Sequence, residues 1–229
     1  MPGARELWFL SLALLTVSEA DSIPAAPGET DAFLSDWAQR SKAIKALAIR
    51  FRQEKRLRIL RRPRVSEGDL VYSEKKLSVT VRGPGGEVES ELLMKDGELK
   101  ILYPRLKRLE VIKIGAEAGP PGASEARGPP LPFFAGDPRE LKKDYQVTLA
   151  HLPEGKEVLT LVPKDEKAPL KRSEMVFVNF EVREYRQVEA SGDELKVEVL
   201  SAKVNPVVPA ERFELKVPEG TKVVRPAGE

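Results

Sequence analysis

The chain has 229 residues, of which 41% are hydrophobic and 32% charged, and its formal net charge is only +2. This balance excludes wholesale disorder, and the length is sufficient for one large domain or two small ones with a sizeable core. Because there is no cysteine and only one histidine, His151, the composition also excludes disulfides and metal sites built on cysteines or histidine clusters.

Residues 1–20 have the pattern of a secretory signal peptide. Arg5 precedes an apolar run from Leu7 to Val17, and Ser18-Glu19-Ala20 places small residues at the first and third positions of a cleavage site. The run is shorter than the roughly 20 residues that a membrane-spanning helix needs. We therefore expect cleavage after Ala20 and export to the periplasm, with a short anchored or buried helix as the alternative.

After a flexible leader at residues 21–30, the pattern predicts one domain over residues 31–229, beginning with a helix near Asp31. Apolar residues recur there at spacings of mostly three, four and seven. From Phe51 onward, apolar and basic residues alternate, which favours a strand. The apolar stripe of the predicted helix consists of Phe33, Trp37, Ile44, Leu47 and Phe51.

Most of the remaining chain alternates with the period of β-strands, and short polar links join neighbouring runs. Asp96-Gly97 is typical of a tight hairpin turn. The run at residues 174–190 predicts one long strand in which Val176, Val178, Phe180 and Val182 share a face. We expect roughly nine to eleven strands in a large, mainly antiparallel sheet that twist forces to curl, and thus an α+β fold with few helices.

One segment interrupts the strand pattern. Residues 115–136 are rich in glycine and proline, which predicts a long loop. Asp137-Pro138-Arg139-Glu140 then places an N-cap residue, a first-turn proline and an acid in order, which predicts a short helix.

The sequence offers no catalytic constellation. His151 is the only position on which a Ser-His-Asp arrangement could be built, and no G-x-S-x-G or G-x-x-x-x-G-K-[ST] motif is present. We therefore expect a protein that is not an enzyme, with no cofactor and no metal. An exported hydrolase is the least supported reading.

Basic residues are concentrated after the predicted helix, with only Glu54 among them. They can be read as a site for an anionic partner, either lipid headgroups or an acidic protein surface, or as an ordinary solvated strand face and turn. Nucleic acid is not expected for an exported chain. The cluster consists of Arg50, Arg52, Lys55, Arg56, Arg58, Arg61, Arg62 and Arg64.

The order of several short motifs resembles the LolA-type periplasmic carriers, which ferry lipoproteins between the inner and outer membranes of Gram-negative bacteria. The signal peptide and early helix are followed by "FRQ" (51–53), "GDL" (68–70) and "KDGELKILYP" (95–104). "LTLVPK" (159–164) and "FELKVPEGTKVV" (213–224) complete the resemblance, which spans residues 33–225.

The resemblance implies an incomplete β-barrel with helices as a lid over a hydrophobic cavity for acyl chains, whereas composition alone leaves a filled interior equally open. It implies acylated lipoproteins or lipids as partners, and it allows an inner-membrane donor complex and an outer-membrane acceptor. The expected lipid-binding residues are Trp37, Ile44, Leu47, Leu70, Tyr72, Val79, Leu92, Met94, Leu99, Ile101, Val178, Phe180 and Val197. The expected partner or headgroup contacts are Arg56, Arg58, Arg61 and Arg62.

The chain departs from the family pattern at one marked position. The family usually has an arginine followed by proline shortly after the G-x-L strand, and that arginine helps to hold the lid. Here the equivalent positions are Glu74 and Lys75, so lid closure would require Lys75 or Lys76 instead. The alternative function is a protein-binding or envelope-stress sensor module of the same fold, which would act through its basic face.

Overall fold

The structure is a computed structural model, and it describes residues 22–113 and 138–225. The predicted signal peptide, the capping Asp137 and the whole glycine- and proline-rich segment lie outside these ranges. The two α-helices are α1 (Glu29–Ser41) and α2 (Leu141–Asp144). The strands are β1 (Ile23–Pro24), β2 (Ala46–Arg56), β3 (Arg64–Ser73), β4 (Lys76–Arg82), β5 (Val88–Lys95), β6 (Glu98–Tyr103), β7 (Arg108–Lys113), β8 (Tyr145–Leu152), β9 (Lys156–Pro163), β10 (Leu170–Val178), β11 (Glu181–Glu189), β12 (Glu194–Val204) and β13 (Lys222–Val224).

All of these strands form one sheet in the order β1-β8-β9-β10-β11-β12-β2-β3-β4-β5-β6-β7-β13. Every neighbouring pair is antiparallel except β7 and β13. The sheet thus consists of two meanders, β8–β12 and β2–β7, joined where β12 pairs with β2. It does not close on itself, and the expected large, mainly antiparallel, open sheet with few helices is confirmed.

Two-residue turns set the register of the β2–β7 meander. Asp96 and Gly97 have φ angles of 53° and 75°, and Glu74 and Lys75 have φ angles of 51° and 64°. Positive φ at both central residues matches the right-handed twist of the flanking strands, so these turns support tight hairpins. The hairpin predicted at Asp96-Gly97 is confirmed.

The predicted helix is wrong in its length. Helix α1 ends at Ser41 and β2 begins at Ala46, so Ile44 lies in the connection and Leu47 and Phe51 lie in a strand. The spacing of these three residues fits a helix, but β2 pairs with β3 over residues 46–55 and with β12 over residues 47–56. Those backbone hydrogen bonds and the burial of Leu47 and Phe51 on the inner face outweigh the local pattern.

The predicted long strand at residues 174–190 is also wrong, because it is a hairpin. Asn179 and Phe180 have φ angles of 52° and 65° and form the turn between β10 and β11. On β10, Met175 and Phe177 lie on the face that contacts α1, whereas Val176 packs against Leu152 and Val158 on the opposite face.

The predicted short helix after residue 137 is confirmed in the described range. A 3₁₀ turn at Pro138–Glu140 leads directly into α2. The two helices are linked by an ion pair between Lys142 of α2 and Asp31 of α1. No helix in the described ranges is both long enough and apolar enough to cross a membrane.

The two faces of the sheet differ in chemistry. We call the face that contacts α1 the inner face, and its centre is apolar. The outer face of β2–β7 is covered by the segment that follows β12, where Phe213 packs with Val71 and Leu93. Elsewhere the outer face carries cross-strand ion pairs, including Arg82 with Asp69 at 2.5 Å and Lys196 with Glu184 at 3.0 Å.

Candidate functional site

The inner face of the β2–β7 meander carries an apolar cluster that we call the sheet-only cluster. Cross-strand register aligns Leu70 with Val79, Val79 with Leu92, and Leu92 with Ile101. Because side chains alternate between the faces of a strand, these residues all project to the same side. The buried members are Phe51, Leu70, Leu77, Val79, Val81, Leu92, Leu99 and Ile101, and the half-buried ones are Ile49, Tyr72, Met94, Tyr103, Ile112 and Val197.

The β8–β12 half of the inner face carries a second cluster, which we call the helix-covered cluster. Helix α1 contributes Phe33, Leu34 and Trp37. Phe33 and Trp37 each meet the ring of Phe177 edge-on, with ring centroids 5.1 Å apart. The strands contribute the remaining buried members, namely Leu149, Leu159, Leu161, Met175, Phe177 and Tyr185.

The two clusters differ in what covers them. Among the residues that the structure describes, every residue of the sheet-only cluster comes from the sheet, whereas the other cluster is sealed by α1. Val197 of β12 packs against both clusters. The two clusters therefore meet at Val197, and among the described residues α1 is packed on only one of them.

A clasp at the β10–β11 turn holds α1 on this surface. The Phe180 ring stacks on that of Phe33, with centroids 5.0 Å apart and an interplanar angle of 15°. The guanidinium carbon of Arg40 lies 4.3 Å from the centroid of the same Phe180 ring. A bulky residue at positive φ is strained, and these contacts stabilise Phe180 in that conformation.

Near the junction of β12 and β2 the inner face becomes polar. Gln53 and Ser66 are buried, and the Gln53 side-chain amide donates to Ser66 Oγ at 2.9 Å. The Tyr185 hydroxyl donates to Gln187 Oε1 at 3.3 Å. Burial raises the pKa of the Tyr185 hydroxyl well above its usual range, so this group remains a neutral hydrogen-bond donor. The polar groups mark one limit of the apolar surface.

The amino-terminal end of α1 is fixed by a carboxylate. Glu29 Oε2 accepts a hydrogen bond from the Ala26 backbone N–H at 2.6 Å and lies 3.3 Å from His151 Nε2. The Ala26 hydrogen bond, followed by that with His151, lowers the pKa of Glu29. The single histidine thus contacts a structural carboxylate at the helix end.

The structure brings most of the predicted lipid-binding residues to the inner face. Trp37 lies in the helix-covered cluster, and Phe180 and Val197 pack against it. Leu47 is buried on β2 opposite Tyr72, and Ile44 is half-buried outside the helix. The residues that lie in or against the sheet-only cluster are Leu70, Tyr72, Val79, Leu92, Met94, Leu99, Ile101 and Val197.

Val178 is the exception. It follows Phe177 on β10 and therefore projects to the outer face, with Val176. Its expected place on the inner face is wrong. The prediction treated residues 174–182 as one continuous strand and placed the even-numbered residues inward, because it overlooked the turn at Asn179 and Phe180. Met175 and Phe177 occupy the inner positions instead.

Several inner-face residues were absent from the predicted set. Leu149, Leu159 and Leu161 lie in runs where apolar residues occur at both parities, such as "EVLTLVP". A strand that is apolar on both faces gives no local signal of which face points inward. Only the cross-strand pairing, such as that of Leu149 with Leu159, shows which of these residues lie on the inner face.

The positions equivalent to the family's lid-holding arginine have a different role here. Glu74 and Lys75 are the exposed turn between β3 and β4, and Lys76 pairs with Glu74 at 3.6 Å. Within the described ranges, no hydrogen bond or ion pair joins Lys75 or Lys76 to α1. The Arg40–Phe180 contact instead joins the carboxy-terminal end of α1 to the β10–β11 turn.

The basic cluster divides into two parts. On the strands, arginines pair with acids across the sheet, as Arg50 does with Asp69 at 3.9 Å, Arg56 with Glu54 at 3.5 Å, and Arg64 with Glu89 at 2.7 Å. In the β2–β3 connection, Arg61 and Arg62 are exposed and form no ion pair with any described residue. The solvated-face reading therefore fits these paired strand arginines, whereas Arg61 and Arg62 keep unpaired positive charge in the connection.

Comparison with known families gives one match. The model described as "Outer membrane lipoprotein carrier protein LolA" matches residues 123–216. No curated relative matches the chain by sequence.

Solved structures share the architecture at low sequence identity. An uncharacterised conserved protein from Thermus thermophilus is 12% identical, with a TM-score of 0.50 over 86% of this chain and 99% of that one. A putative outer membrane lipoprotein-sorting protein domain from Vibrio parahaemolyticus is 10% identical, with a TM-score of 0.44 over 80% and 97%. The MucA/MucB complex of Pseudomonas aeruginosa gives 14% identity and a TM-score of 0.44 over 80% of this chain and 61% of that one.

The similarity to the Thermus thermophilus structure supports the same overall fold. The match to the family model confirms the resemblance predicted from the sequence motifs. The chain is thus similar to LolA over residues 123–216.

Proposed function

We propose that the protein is a carrier of the cell envelope that binds the acyl chains of lipoproteins or lipids on its inner face and transfers them toward the outer membrane. The observation that supports this most directly is the sheet-only cluster, a group of apolar side chains on which, within the described residues, no helix is packed. Burial of an acyl chain gains about 0.8 kcal/mol per methylene. A chain of about 15 methylenes would therefore gain on the order of 10 kcal/mol without any reactive group.

Release of such a ligand requires a second state of the protein with lower affinity. Helix α1 is the element whose displacement would change access to the inner face, and the Arg40–Phe180 clasp is what holds its carboxy-terminal end. We propose that α1 acts as the lid. The helix packs on β8–β11, so its movement would expose the helix-covered cluster and extend the surface available to a ligand.

The first experiment is native mass spectrometry of the protein purified from the periplasm without detergent, followed by organic extraction. A reproducible bound mass that matches a phospholipid or an acylated peptide would support the carrier and identify its cargo. A clean ligand-free mass, together with failure to take up a fluorescent fatty acid, would contradict it.

The second experiment places a charge in the sheet-only cluster. Ile101→Glu should reduce fatty-acid uptake at least tenfold, because a buried carboxylate is strongly unfavourable beside an acyl chain. Ile101→Val keeps the site apolar and should bind like the unsubstituted protein.

Since Ile101 is buried, circular dichroism must show that the glutamate variant is folded. If it is not, Met94→Glu replaces it, because Met94 is only half-buried in the same cluster. A folded glutamate variant with unchanged uptake would place the ligand elsewhere.

The alternative, a protein-binding module that acts through a basic face, has less support. Its strand arginines are neutralised within the sheet by acids such as Asp69, Glu54 and Glu89. Arg61 and Arg62 of the β2–β3 connection form no ion pair with a described residue.

A further inference from the structure

The β2–β3 connection, residues 57–63, combines exposed aliphatic side chains with unpaired arginines. Ile59 is 88% exposed and Leu60 47% exposed, and they lie between Arg58 and Arg61-Arg62. No acidic residue occurs from Lys55 to Pro63. Single exposed aliphatic residues are common on protein surfaces, but basic neighbours on both sides are typical of segments that lie on anionic membranes.

This connection is an ordered turn. The Arg58 backbone N–H donates to Asp193 Oδ1 at 2.9 Å, and the Arg58 guanidinium donates to the Ser191 carbonyl at 3.4 Å. The Leu60 N–H closes a turn onto the Leu57 carbonyl at 2.9 Å. These bonds attach the base of the connection to the β11–β12 turn, and Ile59 is presented at its tip.

A second connection at the same end of the sheet has the same composition. Between β6 and β7, Leu106 is 70% exposed and lies between Arg105 and Lys107. Because β2 through β7 are successive antiparallel strands, the β2–β3 and β6–β7 connections lie at one end of the sheet. They are four strand spacings apart, which is roughly 19 Å.

The acids between these two connections are already paired. Glu87 pairs with Arg105 at 3.4 Å, and Glu89 pairs with Arg64 at 2.7 Å. Arg61, Arg62 and Lys107 form no ion pair with a described residue. This end of the β2–β7 meander therefore presents net positive charge around two exposed aliphatic tips.

From this arrangement we infer that this end of the sheet docks onto an anionic lipid bilayer. Ile59 and Leu106 enter the interface between headgroups and acyl chains, while Arg61, Arg62 and Lys107 contact headgroup phosphates. Two contact points about 19 Å apart orient the sheet on the membrane. The inference concerns the outside of the molecule and does not depend on what the inner face binds.

The absence of cysteine allows single-cysteine variants to test this directly. Ile59→Cys, Leu106→Cys and the control Val207→Cys are each labelled with an environment-sensitive dye. Val207 is 98% exposed, like the two tips, but has no basic neighbour within two residues. All variants share the same amino terminus, so the apolar run at residues 7–17 contributes equally to each.

Vesicles of phosphatidylcholine containing phosphatidylglycerol should shift the dye emission to the blue at positions 59 and 106 but not at 207. Vesicles of phosphatidylcholine alone should give little shift, and added salt should reduce the effect. No shift at position 59, or an equal shift at 207, would overturn the proposal. Either result would make an acidic protein the next partner to test.

Charge removal provides an independent measurement. The double variant Arg61→Gln/Arg62→Gln should weaken vesicle partitioning by roughly fivefold for each arginine. The matched control Lys75→Gln/Lys203→Gln removes two exposed charges at the other end of the sheet and should leave partitioning unchanged. Equal effects of the two variants would show a response to net charge only and would refute docking at this end.

Discussion

Gly68 shows how closely neighbouring strands approach on the inner face. A Cβ atom at this position would lie 2.3 Å from Phe51 Cζ and 2.6 Å from the Thr80 carbonyl oxygen. The first contact involves a side chain, but the second involves the backbone of β4, which cannot move without disturbing the β3–β4 ladder. The Phe51 ring therefore occupies the space that a side chain at position 68 would need.

Gly68→Ala should lower the free energy of unfolding by about 1–3 kcal/mol, as overpacking of a core does, and urea denaturation would measure it. Gly83→Ala is the matched control, because its Cβ would meet only the carboxylate ends of Glu87 and Glu89, which can move aside. Adding Phe51→Leu to Gly68→Ala should restore only part of the loss. A full recovery would show that Thr80 is not the obstacle.

Among the secondary-structure elements, most strands could be predicted from the sequence, but the residues at which they begin and end could not. The alternation around Asp96-Gly97 identified β5, the turn and β6, because each residue there satisfies one local rule. Leu47 and Phe51 satisfy the helical spacing and the strand spacing at once, so only the pairing of β2 with its neighbours decides between them. The turn at Phe180 could not be predicted from the sequence, because an aromatic residue rarely adopts positive φ.

The clasp on α1 can be tested without removing the helix. Phe180→Asn keeps a residue that tolerates positive φ but loses the stack on Phe33 and the contact with Arg40. The gain from relieved strain and the loss of these contacts are each about 1 kcal/mol, so overall stability should change little. The amides of α1 should nevertheless exchange with deuterium several-fold faster, because the helix has lost an attachment.

Asn179→Gly is the control for the clasp, since it alters the same turn and keeps the Phe180 ring. Its α1 amides should exchange at the original rate. Unchanged exchange in Phe180→Asn would mean that Leu34 and Trp37 alone hold the helix.

For the whole molecule, the order of the sheet was beyond sequence reasoning. Local patterns predict hairpins between successive strands, which build each meander, but nothing in residues 46–56 indicates that they pair with residues 194–204. That long-range pairing places the two apolar clusters on one surface, with Val197 between them. The candidate site follows from the pairing and not from any single motif.

The short strand β13 protects one edge of this sheet. Lys222–Val224 pair with the first half of β7, and the Lys222 N–H donates to the Lys107 carbonyl at 2.8 Å. Removal of residues 218–229 should expose β7 as an edge strand and shift the protein toward larger species, because unpaired strand edges associate. Size-exclusion chromatography with light scattering would detect them. Removal of residues 226–229 alone should have no such effect, and identical profiles for both truncations would refute the role of β13.

The joining of the two meanders through β2 and β12 has a consequence for the timing of synthesis. Strand β2 is complete at residue 56, whereas its partner begins at residue 194. At a translation rate of about 5–20 residues per second, this edge of the first meander waits on the order of ten seconds for its partner. During that interval the edge of β2 that will pair with β12 is unpaired in the nascent chain. The yield of folded protein will therefore depend on how well the cell protects this edge from association with other chains.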